Sequence, residues 1–304
     1  MRAVRRRGYP LAEFRQRVLP AGYDGPVFVS DIDKTYLATR FSSMKGLARI
    51  PIELAVDKQA VAGMTEILRG VRRGPGPGFA AAPLYFISSS PPQLRRVIER
   101  KMLLDGVQPD GFVFKDWLRT LGEGKPKRLK EHVAFKLTAL LRGRLSRPDA
   151  TEYLFGDDVE RDPETYSLYG RLLAGELEED ALEAELREYS VAPADRQEVQ
   201  TLLASLPARH GRVAGAFILL VRGRGQEALA RGGPAVTVVR DAYQLGLALL
   251  DRGLVDERCV AAVRACLRDQ GRRSEQELGH RLAEAVERGL VSGSTADRLR
   301  RSAT

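Results

Sequence analysis

The feature that most constrains this 304-residue chain is a recurring order, in which a short apolar run stops at a polar residue and helix-spaced sequence follows. Val27-Phe-Val-Ser runs into Asp31, Leu84 to Ile87 runs into Ser88-Ser-Ser-Pro-Pro, and Tyr153 to Phe155 runs into Gly156-Asp-Asp. Phe112 to Phe114, Ala216 to Val221 and Ala235 to Val239 read as further short strands. Between them, Val61, Met64, Leu68 and Val71 keep a helical period, as do Leu94, Val97 and Ile98, and then Val133, Leu137, Leu140 and Leu141. Strands alternating with helices on this scale predict an α/β fold with a parallel sheet covered on both faces. Polar sites in such sheets gather beyond the carboxyl ends of the strands. Asp31, Ser88 and Asp157 each stand at such an end, so three signals far apart in sequence fall in one predicted crevice.

At that first strand end, Asp31-Ile-Asp33-Lys-Thr35 sets two carboxylates two positions apart, facing one side. Adjacent anions raise one another's pKa, so a site that keeps both ionised calls for a cation. Asp157, Asp158 and Asp162 add hard oxygens from another strand end, and no histidine joins them, which favours magnesium over zinc. Alone, Asp-x-Asp-x-Thr is equally the signature of a turn or helix cap. Ser88 alone reads equally as an N-cap, and Lys136 as a solvated helix lysine.

The order of the motifs separates these readings. Asp-x-Asp-x-Thr, a strand ending in Ser88, a helix bearing Lys136 and a strand ending in Gly156-Asp-Asp-x4-Pro together resemble the signature motifs of the haloacid dehalogenase superfamily. Ser30-Asp-Ile-Asp33, Tyr85 to Leu94, Lys115-Asp-Trp117 and Gly156 to Tyr166 resemble the catalytic domain of the actin-patch type of phosphatidate phosphatase, and the resemblance extends from Val27 to about Val255. It implies a Rossmann-like parallel sheet with a small or minimal cap and a magnesium-dependent phosphatase. It further implies Asp31 as nucleophile, Asp33 as general acid and base, and Ser88 and Lys136 on the phosphoryl group. Asp31, Asp33, Asp157 and Asp162 would lie around the metal. Three departures border the crevice: Lys34 stands in place of an acidic residue, Pro92 in place of an aromatic, and Asp158-Val159 in place of Ser-Gly.

On this reading residues 1–26 form a basic arm, 27–255 the phosphatase domain with an acidic helical insertion at 171–205, and 256–304 a helical extension of two short helices. Gly122-Glu-Gly-Lys-Pro-Lys lacks phosphate-loop spacing and reads as a basic turn. A net charge of +9 favours anionic partners. The favoured partner is a phosphorylated small molecule or lipid; the arm reads first as a solvated basic segment, with peripheral contact to an acidic membrane as the alternative. The only two cysteines, Cys259 and Cys266, share one helix face and suit a reducing, cytoplasmic setting, and no apolar run is long enough to span a bilayer. Two other readings use the same residues: a phosphatase for nucleic-acid or nucleotide ends, and a non-catalytic interaction module. Loss of a motif aspartate would favour the second, and none is lost.

Overall fold

A computed structural model describes residues 9–38, 58–118, 131–208, 210–223, 229–230, 236–270 and 272–302. Among these residues seven strands form one sheet: β1 (Leu11–Phe14), β2 (Pro26–Asp31), β3 (Leu84–Ser88), β4 (Gly111–Lys115), β5 (Thr151–Asp157), β6 (Val213–Leu219) and β7 (Val236–Val239). Their spatial order is β1-β4-β3-β2-β5-β6-β7, and every pairing is parallel except that of β1 with β4. The α/β class with a largely parallel sheet therefore holds.

Side chains alternate between two cores, as the period of a strand requires. Phe112, Phe86, Phe28, Phe155 and Phe217, from five adjacent strands, all face one side, with neighbouring ring centroids 5.7 Å apart for Phe86–Phe112 and 5.9 Å for both Phe28–Phe155 and Phe155–Phe217. Helices α1 (Met64–Arg73), α2 (Arg95–Leu104) and α7 (Ala242–Asp251) close over this layer. Val27, Val29, Tyr85, Ile87, Leu154 and Ile218 face the other side. There α3 (Val133–Ser146), α4 (Asp162–Leu173), α5 (Glu179–Glu188) and α6 (Pro193–Ala204) cover them. Both faces are thus dry, which is why these strands read as continuous apolar runs.

Three regions differ in detail from the sequence reading. Within the stretch read as a basic arm, Leu11–Phe14 is an edge strand, and Tyr9 is buried. Leu11 pairs with Lys115 and Phe14 with Phe112, so the chain enters the fold at the carboxyl end of the parallel strands. The acidic stretch read as an insertion contains a pair of helices, α5 and α6, held together by Arg196 Nε to Glu183 Oε1 at 2.8 Å. The extension holds three helices, α8 (Glu257–Asp269), α9 (Glu275–Glu287) and α10 (Gly293–Ser302), rather than two. Ser274 and Glu277 make the capping box that opens α9. Val260, Val263, Leu278 and Leu282 join the same core as Met64 and Ile67. A Cβ on Gly70 would meet Cys259 Sγ at 2.2 Å, so α1 and α8 are in near-backbone contact. No helix among the described residues is long and apolar enough to cross a membrane. The arginines of the arm before Tyr9 and the Gly122–Lys127 turn lie outside the described residues.

Candidate active site

β2 delivers Asp31 to the carboxyl edge of the sheet, fully buried, and a tight loop then turns the chain. Ile32 O accepts from the N–H groups of Tyr36 and Leu37, and Lys34 N–H donates to Leu37 O at 2.6 Å. Lys34 sits at φ 68°, a left-handed conformation uncommon outside glycine, asparagine and aspartate. The turn expected of an isolated Asp-x-Asp-x-Thr is therefore present, and it is what aims the two carboxylates.

Asp33 faces the loop that follows β3. Ser88 Oγ donates to Asp33 Oδ2 at 3.0 Å and Ser90 Oγ donates to the same oxygen at 2.8 Å. Ser90 N–H donates in turn to Ser88 Oγ at 3.0 Å, so the serine loop is folded on itself and against Asp33. Ser88 is thus more than a local cap. Burial, followed by repulsion from Glu160, pushes the Asp33 carboxyl up to about 6, while the Ser90 and Ser88 hydroxyls pull the other way.

Lys136 settles the alternative left open for it: it is 1% exposed, one turn into α3, and not solvated. Its Nζ lies 2.8 Å from Asp31 Oδ1 and 3.0 Å from Glu160 Oε2, and it donates to Asp162 Oδ1. Burial works against the ammonium, but Asp162, Asp31 and Glu160 outweigh it and hold its pKa well above the ordinary lysine value. One cation thereby ties the end of β2 to the loop after β5.

That loop is shaped by its own polar groups. Asp157 Oδ1 accepts from Val159 N–H at 2.5 Å and Glu160 N–H at 3.1 Å, and Asp157 N–H donates to Asp162 Oδ2 at 3.2 Å. Gly156 is required by contact: a Cβ there would meet Asp162 Oδ2 at 2.5 Å and Tyr166 at 2.8 Å. Asp158 turns away from this cluster. Its carboxylate accepts from Val221 N–H at 2.7 Å and Arg222 N–H at 2.9 Å, tying the loop after β6 to the loop after β5.

Around the single ammonium of Lys136 stand Asp31, Asp33, Asp157, Glu160 and Asp162, all buried from solvent or nearly so. Burial raises Asp31 well above the usual carboxylate range and Asp157 to about 7, and neighbouring acids add to both. Glu160 alone is held well below its ordinary value: burial would raise it, but Lys136 and His132 outweigh that. Oxygens of Asp31, Glu160 and Asp162 lie within 4.8 Å of one another, so this buried acidic cluster has the donors to hold a metal ion. Lys136 takes one oxygen of each of those three. Left with no hydrogen-bond donor are Asp31 Oδ2, Asp33 Oδ1 and Asp157 Oδ2. Buried carboxylate oxygens without donors, among acids that repel one another, fit an oxygen-seeking divalent cation.

The sequence-derived residues Asp31, Asp33, Ser88, Lys136, Asp157 and Asp162 thus meet at one edge of the sheet. Sequence reasoning missed Glu160 and His132, and it offered Ser90 only as a substitute for Ser88, whereas both serines bind Asp33. His132 Nδ1 lies 3.0 Å from Ser89 Oγ and 3.2 Å from Glu160 Oε2. Both contacts fall on the same ring nitrogen, so this is not a serine–histidine–acid relay, which needs one contact on each nitrogen. The signal for Glu160 lay in the motif itself, as the acid midway between Asp157 and Asp162.

No curated protein and no solved structure matches the chain. The model of one family, described as the phosphatidate phosphatase APP1 catalytic domain, matches residues 27–175. That stretch is just under half of the chain, and it contains every acidic and basic group of the site. The match ends at residue 175, short of Val255, where the resemblance read from sequence ends. By this match and by its sheet, the chain is similar over residues 27–175 to the phosphatidate phosphatase APP1 catalytic domain, which indicates a phosphatase built on a largely parallel α/β sheet.

Proposed function

We propose that this phosphatase is a magnesium-dependent phosphomonoester hydrolase that works through an aspartyl phosphate on Asp31, with phosphatidate as substrate. One observation carries the reading: Asp31 ends β2 with Oδ1 against Lys136 and Oδ2 without a donor, while Asp33, two residues on, is held by two serines.

In the first step one carboxylate oxygen of Asp31 bonds to phosphorus as the ester P–O bond breaks, and Asp33 gives its proton to the leaving alkoxide. In the second, Asp33 takes a proton from water as the water oxygen bonds to phosphorus and the carboxylate of Asp31 leaves. A hard hydrolysis is thus split into two easier displacements. An acid pushed up to about 6 can serve in both directions near neutral pH. Ser88 would turn its hydroxyl from Asp33 to a phosphoryl oxygen, and Lys136 would neutralise charge on Asp31 and on the phosphoryl group. Asp31, Asp33 and Asp157 would hold the magnesium ion with Asp162 beside them, and the bound ion supplies positive charge to the phosphoryl oxygens. Asp162, engaged with both Lys136 and the Asp157 N–H, orients those two residues.

The lipid substrate rests on the family match and on a net charge of +9. Both cysteines are free, which suits the cytoplasm. The test is magnesium-dependent phosphate release from detergent-dispersed phosphatidate, a soluble phosphomonoester and a 5′-phosphorylated oligonucleotide. Phosphatidate should be turned over best. Preference for the oligonucleotide would replace the lipid reading with that of a nucleic-acid end phosphatase.

A further inference from the structure

Large apolar side chains stay exposed at two ends of this sheet. Val18, Phe79, Leu103 and Leu104 lie at the amino end, where the chain approaches β2, β3 and β4. Leu118, 67% exposed, and Val221, 50% exposed, lie just past the carboxyl ends of β4 and β6, the end that carries Asp31, Ser88 and Asp157. Both belong to loops fastened to the catalytic ones. Trp117, beside Leu118, donates its indole N–H to Ser89 O at 2.8 Å, and the N–H groups of Val221 and Arg222 bind Asp158. Between β4 and β6 stand β3, β2 and β5, so the two loops are separated by four strand spacings, about 19 Å. The ends of β3, β2 and β5, which carry Ser88, Asp31 and Asp157, lie between them.

Arg222 is exposed beside Val221 and has no ion-pair partner among the described residues. An exposed aliphatic side chain next to an exposed guanidinium suits the boundary between anionic headgroups and acyl chains. On the reading that the substrate is phosphatidate, we propose that Leu118, Val221 and Arg222 form the face that seats this protein on an acidic bilayer, with the crevice opening onto the headgroups. The phosphate of a membrane lipid is held at the surface by its acyl chains, so the reacting edge has to face the bilayer. Docking through Leu103 and Leu104 instead would leave the site about a strand length away, roughly 17–23 Å for five to seven residues. The lipid would then have to leave the membrane to react. The entry of the chain at Tyr9 and Pro10 is at the carboxyl edge too, since Pro10 O accepts from Asp116 N–H, just past β4.

The test uses the full chain and phosphatidylcholine vesicles with and without phosphatidate. Sedimentation reports binding, and hydrolysis of a soluble phosphomonoester reports the state of the site. Leu118→Glu combined with Val221→Glu should weaken binding to phosphatidate vesicles about tenfold or more and slow vesicle hydrolysis in step. Hydrolysis of the soluble substrate should stay within about twofold, well inside the tenfold that 1.4 kcal/mol represents. Arg222→Glu, a change at an exposed position, should weaken binding at low salt and much less at high salt. Leu103→Glu with Leu104→Glu should bind as wild type. Wild-type binding by the Leu118/Val221 variant, loss of binding by the Leu103/Leu104 variant, or no binding by the wild-type chain would each overturn the docking face. Phosphatidate dispersed in detergent separates the two ideas: turnover there with wild-type vesicle binding by the Leu118/Val221 variant sinks the face alone. Absence of turnover there sinks the substrate reading alone, provided that variant still loses vesicle binding.

Discussion

Replacing Lys136 with methionine removes the one ammonium that, among the described residues, pairs with Asp31, Glu160 and Asp162, while keeping a side chain of similar length. Asp31, Glu160 and Asp162, each within reach of Nζ, would then face one another in a site closed to water. Removing one partner of a buried ion pair destabilises a protein by about 3–5 kcal/mol. Three partners lose their counter-charge here, so the upper part of that range is expected at neutral pH. The carboxylates can escape by taking up protons, which places their folded-state pKa values above the unfolded ones. Stability linked to such groups is present in acid and lost as pH rises through the folded value. In the wild-type protein Glu160 works the other way, its low folded-state pKa adding stability above the unfolded value. The deficit of the variant should therefore be largest near pH 7 and shrink as the pH falls to about 5, toward the unfolded carboxylate range. Urea unfolding in the presence of a chelator, followed by fluorescence of the single tryptophan, Trp117, measures it. Phosphate release should fall by about 10²–10³-fold, the usual effect of losing one group that stabilises transition-state charge. A deficit under about 1 kcal/mol at pH 7, of the size seen for exposed pairs, or one equal at both pH values, would show that Lys136 is not the counter-charge of this cluster.

Glu160→Gln keeps the hydrogen-bonding shape but removes a charge from Lys136 and His132, and it should lower kcat about tenfold or more with little change in KM, because Glu160 acts through the lysine. Gly156→Ala places a methyl group against Asp162 and Tyr166. It should destabilise the fold by about 1–3 kcal/mol, the range for overpacking, and weaken magnesium binding in calorimetry. Chelation should abolish turnover, with magnesium restoring it and zinc failing to. Recovery with zinc alone would contradict an all-oxygen site.

The sheet was legible because its strands are buried on both faces and so announce themselves as short apolar runs. The site was legible where the chemistry sits at their ends, as at Asp31, Ser88 and Asp157. β1 was not, since Leu-Ala-Glu-Phe has no strand pattern of its own and owes its conformation to pairing with β4, about a hundred residues away. Lys136 could not be told from a surface lysine by sequence, because its burial depends on acids from β2 and the loop after β5. For the same reason Asp158 could not be separated from Asp157. The two are adjacent in the chain, yet one faces the cluster and the other holds the β6 loop, a distinction made by Val221 and Arg222. The third tail helix was hidden by its composition, Gly-Ser-Thr-Ala-Asp-Arg-Leu-Arg-Arg-Ser, in which Ala296 and Leu299 are the only apolar contacts with the core.

The central claim is that Asp31 forms a covalent bond to phosphorus, and acid quenching of turnover on substrate labelled in its phosphoryl group tests it most directly. Asp33→Asn, given an aryl phosphate whose leaving group needs no proton, lacks only the group that activates water and should accumulate label on the peptide carrying Asp31. Wild type should show a smaller amount, and Asp31→Asn none. Label retained by Asp31→Asn, or turnover by the wild-type enzyme with no labelled protein in either wild type or Asp33→Asn, would contradict the account.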